Sequence, residues 1–202
     1  MAVTITDEKH NQIMKRRKAY MDSRISASDQ DCGVLVVNTG DGKGKSSSAF
    51  GMVARALGHG MKVAVIQFIK GAMTTGEEKF FKRFPDEVVF KAMGEGFTWD
   101  TQDRSRDIEI CGIAWNEARK YLQDESFDLV VLDELNIALS YGYLDWNDIE
   151  EDVLNRPHQQ HVVITGRGAP PELIEVADTV TEMKLVKHAF EKGIKAQDGI
   201  EM

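Results

Sequence analysis

The sequence predicts an α/β fold, a mostly parallel sheet flanked by helices, from three observations. Short apolar runs rich in β-branched residues recur with little alternation, the pattern of strands covered on both faces. Amphipathic stretches at helical spacing separate those runs, as crossovers between parallel strands require. The first run also passes through a glycine- and lysine-rich turn directly into a helical pattern, which is how a phosphate-binding loop is built.

In chain order, the leader comes first. Residues 7 to 24 are polar and helix-compatible, and the Met14-Lys15-Arg16-Arg17-Lys18 cluster within them reads as the solvated face of a helix rather than a nuclear address or an anion-binding arm. Strands are expected at Val34 to Asn38, Val63 to Phe68, Val88 to Ala92, Leu129 to Asp133 and Val162 to Thr165, with a less regular one at Thr179 to Leu185. A helix over residues 46 to 57 places Phe50, Val53, Ala54 and Leu57 on one face, and Gly58 stops it. A helix over 103 to 123 repeats the pattern with Ile108, Cys111, Trp115, Ala118 and Leu122. Shorter helices fit residues 76 to 84, 134 to 141, 146 to 154 and 171 to 177. No internal repeat or Ser- or Pro-rich linker interrupts the series, so the organisation is a polar helical arm (1–30), one P-loop α/β domain (31–185) and a C-terminal tail (186–202).

Composition narrows the function classes. The chain has 202 residues, 42% hydrophobic and 29% charged, which suits one domain with a sizeable core and excludes global disorder and a membrane-embedded fold. Lys plus Arg number 25 against 33 Asp plus Glu, a net charge of −8. So acidic a body repels nucleic acid and anionic lipid, and neither is expected as a partner. No run reaches the roughly 18 apolar residues of a membrane span, and the leader lacks the apolar stretch of a secretory signal. A cytoplasmic protein is therefore expected, with Cys32 and Cys111, which match neither a zinc spacing nor a disulfide framework, reduced and buried.

Two elements carry the chemistry. The segment Thr39-Gly40-Asp41-Gly42-Lys43-Gly44-Lys45-Ser46-Ser47 is a P-loop candidate: its glycines let backbone N–H groups turn toward a polyphosphate, Lys45 adds a point charge, and the Ser46 hydroxyl can ligate a metal. Gly40 and Gly44 enclose three residues instead of the usual four. The second element is Leu129-Val130-Val131-Leu132-Asp133-Glu134, acids at the end of a buried strand, where a nucleotide's magnesium is held. Thr165-Gly166-Arg167-Gly168 puts Arg167 at the carboxyl edge of the sheet, where α/β ligands bind. Phe97 and Trp99, two positions apart in Gly94-Glu95-Gly96-Phe97-Thr98-Trp99-Asp100, face the same side of an extended segment and suit either an aromatic wall for a flat ligand or core packing. His158 and His161 are spaced like possible helical ligands but fall at the entry to an expected strand, and His188 has no partner at a metal spacing, so all three read as unremarkable histidines. An Asn-Lys-x-Asp guanine-reading motif is absent.

Together, Gly40-Asp41-Gly42-Lys43-Gly44-Lys45-Ser46, Phe97-Thr98-Trp99, Leu132-Asp133-Glu134-Leu135, Thr165-Gly166-Arg167-Gly168 and Val186-Lys187-His188-Ala189-Phe190 resemble the P-loop corrinoid adenosyltransferases, the CobA/BtuR family. The resemblance runs from the leader to Gly193-Ile194-Lys195-Ala196-Gln197, and the shortened loop is one of its features. It implies a RecA-like fold and an ATP:cob(I)alamin adenosyltransferase that moves the 5′-deoxyadenosyl group to cobalt and releases tripolyphosphate. It further implies a cytoplasmic homodimer fed electrons by a reduced flavoprotein. Gly40, Asp41, Gly42, Lys43, Gly44, Lys45, Ser46, Ser47 and Arg167 would then bind ATP, with Ser46 and Glu134 holding Mg2+ or Mn2+. Lys45, Phe97 and Trp99 would be catalytic, the aromatic pair by displacing the lower ligand of the cobalamin substrate. Two departures stand out: Asp41 where the family has Asn, and Ser46-Ser47 where it has Thr-Thr. A carboxylate at 41 is unfavourable beside a polyphosphate unless it faces solvent, lysine or a ribose hydroxyl. Outside this resemblance, a P-loop ATPase or small-molecule kinase and a non-catalytic nucleotide-binding regulator fit the same two elements.

Overall fold

The structure, a computed structural model, describes residues 6–69, 71, 75–94 and 103–200. It divides into two compact units, Met1–Cys32 and Gly33–Met202. In the first, helix α1 (Asp7–Ser26) is held by local terms: Thr6 caps its N-terminus, Asp7 and Glu8 occupy the first turn, and Arg24 the last. None of its residues is buried, so the basic cluster at 14–18 lies on a solvated helix.

The second unit contains β1 (Leu35–Thr39), α2 (Lys45–Gly58), β2 (Val63–Gln67), α3 (Gly76–Phe81), β3 (Val88–Ala92), α4 (Arg104–Leu122) and β4 (Leu129–Asp133). It continues through α5 (Leu135–Ser140), α6 (Trp146–Leu154), β5 (His161–Thr165), α7 (Pro171–Val176), β6 (Thr179–Glu182) and a short 3₁₀ turn, Ala189–Lys192. The strands form one six-stranded sheet in the order β3-β2-β4-β5-β1-β6, and every pairing is parallel. β5 therefore lies between the strand feeding the glycine loop and the strand ending in Asp133.

Alternation along the central strands sends successive side chains to opposite faces. Ala64 and Ile66 join Val130, Leu132, Val162 and Ile164 under α4, α6 and α7, where Trp115, Leu122, Ile149 and Leu173 close the larger core. Val63 and Val65 join Val131 and Val163 under α2 and α3, against Ala49, Phe50, Val53 and Phe81. Two helix faces differ from expectation. Ala54 is exposed and Ala49 and Ala56 take the buried positions, while Ile108 is 37% exposed and the α4 stripe runs through Ile110, Cys111, Ala114, Trp115, Ala118 and Leu122. In α4, Cys111, Trp115, Ala118 and Leu122 are buried as expected and only Ile108, near the helix start, lies off the contact line; in α2, Phe50 and Val53 keep the expected face and Ala49 and Ala56 replace Ala54 on it.

β6 ends at Glu182, short of Leu185, for a specific reason. The Met183 carbonyl turns away from the sheet to accept the Gly42 N–H at 2.7 Å. Cys111 is buried as expected, and burial with the neighbouring Asp107 charge pushes its thiol up to about 12. Cys32 is exposed, because it precedes the first strand and no apolar face covers it.

Candidate active site

Parallel strands put their carboxyl ends on one edge, and there the sheet gathers the loops after β1, β4 and β5. The loop after β1 is shaped by space. Gly40 has φ +90° and Gly44 φ +113°, conformations that side-chain-bearing residues avoid. A Cβ on Gly40 would lie 2.5 Å from the Met183 carbonyl oxygen, and one on Gly42 2.7 Å from that of Lys184. The chain leaving β6 thus backs the loop directly, and three residues suffice between its outer glycines.

Lys45, the first residue of α2, folds over this loop and donates from Nζ to the Gly40 and Gly42 carbonyls, both at 2.6 Å. Burial, then the positive charge of Arg167, holds its ammonium below the ordinary lysine range; Lys43 acts in the same direction, and Asp41 and Glu134 oppose. Arg167 and Glu134, distant in sequence, and Asp41 and Lys43, from the loop itself, therefore all act on one ammonium. Ser46 is half-buried and Ser47 exposed on the same first turn. Asp41 is exposed and faces Arg167, its carboxylate oxygen 3.9 Å from Nε, so the carboxylate that departs from the family pattern points to solvent and a guanidinium.

The acidic end of β4 is built from side chains instead. Asp133 is fully buried; its Oδ1 accepts from the Thr165 hydroxyl at 2.6 Å and its Oδ2 from the Gln67 amide at 2.8 Å. Glu134 follows in the left-handed region (φ 65°, ψ 16°), where a non-glycine residue costs about 1–3 kcal/mol. Its N–H donates to Thr165 Oγ1 at 3.0 Å. Asn136 donates to the Gly166 carbonyl at 3.1 Å, and Thr39 Oγ1 accepts the Ala169 N–H at 3.2 Å, tying the Arg167 loop to both neighbours.

Of the residues singled out from sequence, Gly40 to Ser47, Glu134 and Arg167 thus share one edge. Phe97 and Trp99 lie outside the described residues. His161 Nδ1 accepts the Val34 N–H at 3.0 Å and His188 Nδ1 the Phe190 N–H at 3.1 Å, both structural uses. Sequence reasoning assigned no part to Gln67, Thr165, Asn136 or Met183. The available signal was a glutamine and a threonine closing otherwise apolar buried strands.

Among the described residues no three His, Cys, Asp or Glu side chains come together to cage a metal ion. A magnesium ion carried on phosphates needs only one or two protein oxygens. The Ser46 hydroxyl and the Glu134 carboxylate, both hard oxygen donors, meet that requirement.

Residues 31–202 match the model of the family described as ATP:corrinoid adenosyltransferase BtuR/CobO/CobP. The chain belongs to this adenosyltransferase family. A corrinoid adenosyltransferase of Pseudomonas aeruginosa is 62% identical over 195 residues, covering 96% of each chain. Another, from a Sinorhizobium species, is 49% identical over 197 residues, covering 96% of this chain and 92% of the relative. The corrinoid adenosyltransferase of Escherichia coli K12 is 45% identical over 197 residues, 98% of this chain and all (100%) of its own. For an adenosyltransferase the arrangement is apt. A cationic, glycine-lined loop and an acidic strand end lie on one edge of the sheet, and among the described residues no helix is long and apolar enough to cross a membrane.

Proposed function

We propose that this transferase adenosylates a reduced corrinoid with ATP. The cobalt(I) lone pair attacks the ribose C5′, a Co–C bond forms, the C5′–O bond breaks, and its electron pair leaves with tripolyphosphate. Cobalt(I) is a very strong nucleophile, so the protein's work is to align C5′ and to stabilise the leaving polyanion. Gly40, Asp41, Gly42, Lys43, Gly44, Lys45, Ser46, Ser47 and Arg167 line the triphosphate side in this reading. Lys45 exchanges its two loop carbonyls for phosphate oxygens, and Arg167 adds a second cation. Bound Mg2+ or Mn2+ supplies further charge neutralisation, held by Ser46 and Glu134. The observation that carries the reading is Lys45, folded over the glycine loop onto the Gly40 and Gly42 carbonyls at 2.6 Å, in a chain of this family.

Phe97 and Trp99 complete the reading. An apolar wall that takes the place of the lower ligand leaves cobalt(II) four-coordinate and easier to reduce. A reduced flavoprotein is the proposed electron donor, in the cytoplasm, to a homodimer.

Incubation with ATP, magnesium and chemically reduced corrinoid tests the reaction: tripolyphosphate and the alkylcobalt spectrum are expected. ADP would point to a kinase or ATPase, and unchanged ATP to a binding module. The aromatic pair is tested separately. Phe97→Ala and Trp99→Ala are expected to slow flavoprotein-driven turnover severely while keeping much more activity on pre-reduced cobalt(I). Equal losses in both assays with a lowered melting temperature would make them packing residues, whose truncation typically costs about 3–5 kcal/mol.

A further inference from the structure

Glu134 has the least ordinary backbone at the site. Among the described residues it is the one non-glycine with positive φ, at 65°. Three side chains, the last residues of three neighbouring strands, converge on this point. Thr165, the last residue of β5, accepts the Glu134 N–H at 3.0 Å and gives its own hydroxyl proton to Asp133 at 2.6 Å. Gln67, the last residue of β2, donates to the other Asp133 oxygen at 2.8 Å. Asp133 and Thr165 are 0% exposed and Gln67 is 1% exposed.

The directions of these bonds matter. A hydroxyl can rotate, but one that donates to a carboxylate has only lone pairs left to offer. Asp133 thereby fixes the Thr165 rotor as an acceptor, and the Glu134 N–H meets it. Gln67 keeps the carboxylate from turning, because its amide occupies the second oxygen. The sheet order makes the arrangement possible: β4 lies between β2 and β5, so the ends of all three strands are adjacent.

We propose that Thr165, oriented by Asp133 and Gln67, is a positioning residue that sets the Glu134 carboxylate for the nucleotide's divalent cation, and that Asp133 serves this relay instead of ligating the cation itself. The inference rests on the reading of Glu134 as the metal-side carboxylate. It departs from the simplest expectation for an acid at the end of a P-loop sheet strand, which would make Asp133 the ligand. Buried residues that orient a ligand typically change metal affinity or activity by about 10–100-fold when removed.

Four variants and two readouts decide it. Free Mn2+ is followed by electron paramagnetic resonance during titration of protein with ATP, and exchange of the Glu134 amide hydrogen is followed by nuclear magnetic resonance without metal or nucleotide. Glu134→Gln, the control for the underlying reading, is expected to weaken Mn2+ binding roughly tenfold or more. Thr165→Val keeps the shape and removes the hydroxyl. It is expected to weaken Mn2+ binding at least about threefold and to speed Glu134 amide exchange in the apo protein by a similar factor. Thr165→Ser, which keeps the hydroxyl, is expected to behave as wild type in both. Asp133→Asn is also expected to stay within about threefold of wild type, because its carbonyl still accepts from Thr165 and Gln67 can turn its amide to accept from the new NH2.

Wild-type Mn2+ binding and amide protection in Thr165→Val, beside a weakened Glu134→Gln, would overturn the relay and leave the Glu134 reading intact. An Asp133→Asn defect as large as that of Glu134→Gln would make Asp133 a ligand and overturn it as well. Unchanged Mn2+ binding in Glu134→Gln would remove the reading of Glu134, and the proposal with it. Should Thr165→Val fail to fold, Thr165→Ala, which also lacks the hydroxyl, takes its place in both readouts, and Asp133→Asn separately tests the ligand role.

Discussion

The glycine loop after β1 and the acidic end of β4 lie on the same sheet edge and are fixed by opposite means. The loop is held by backbone against backbone: Gly40 and Gly42 leave no space for a side chain beside Met183 and Lys184. The acidic end is held by side chain against side chain, through Gln67, Asp133 and Thr165. The first kind of site fails when an atom is added, and the second when a hydroxyl is removed. Shape governs one and hydrogen-bond direction the other, so the two regions should respond differently to substitutions of the same size.

Gly42→Ala is expected to have the largest effect. Its methyl group would lie 2.7 Å from the Lys184 carbonyl oxygen and 2.8 Å from the Lys184 carbonyl carbon, and neither can yield without moving the chain that leaves β6. A shift of the loop by even about 1 Å typically costs 10²-fold in rate. Turnover and melting temperature should both fall. A normal rate would show that the loop does not depend on this packing and would dissolve the contrast.

Lys45→Ala comes next, because it removes charge while leaving the loop's shape. Charge-assisted hydrogen bonds contribute about 1.5–3 kcal/mol, a loss of roughly tenfold to a hundredfold in ATP use. The same residue predicts a pH dependence. Its ammonium is already held below the ordinary lysine range, and only the protonated form attracts phosphate. ATP affinity should therefore fall as pH rises through that lowered value, earlier than an unperturbed lysine would allow, and the fall should vanish in Lys45→Ala. An alkaline limb that persists in the variant would assign it to another group.

Gly51→Ala is the smallest and has the opposite sign. Gly51 lies in α2, the helix that begins at Lys45, with nothing within 4 Å of an added Cβ. Alanine should stabilise the helix by about 0.8–1.0 kcal/mol and raise the melting temperature by about 2–4 °C, with activity unchanged. Gly42 and Gly51 then separate glycine as a spatial necessity from glycine as a helical weakness within one loop-helix unit.

Much of this is legible in the sequence alone. The apolar runs at Val63 and Leu129 became strands because a segment buried on both faces has little freedom to be anything else. The glycine loop was legible because strand, turn and helix are contiguous in sequence. The Gln67–Asp133–Thr165 relay was not, since residues 66 and 32 positions apart meet only once the strand order is known. Met183 was hidden for the same reason: its carbonyl braces a loop more than a hundred residues earlier. Ala54 and Ile108 show a smaller limit. Helical spacing finds most of the buried face, and docking on the sheet decides single positions at its margins.

The two carbonyls that hold the Lys45 ammonium also bear on how the protein takes up its nucleotide. An unliganded cation would ordinarily collect water and counter-ions, and each anion that bound would release them. Here the chain supplies its own surrogate ligands, so on the proposed reading uptake of a triphosphate would be a swap of oxygen for oxygen at Nζ. Such a swap makes the response to added salt shallower than the number of cations around the loop would indicate. It also sets a threshold: an isolated anion with one weakly basic oxygen gains little by displacing two well-aligned carbonyls, whereas a chain of phosphates can displace both at once. If Lys45 is the triphosphate's cation, as proposed, the loop is expected to select visitors by the number of phosphate groups they carry, before any part of the base or sugar is recognised.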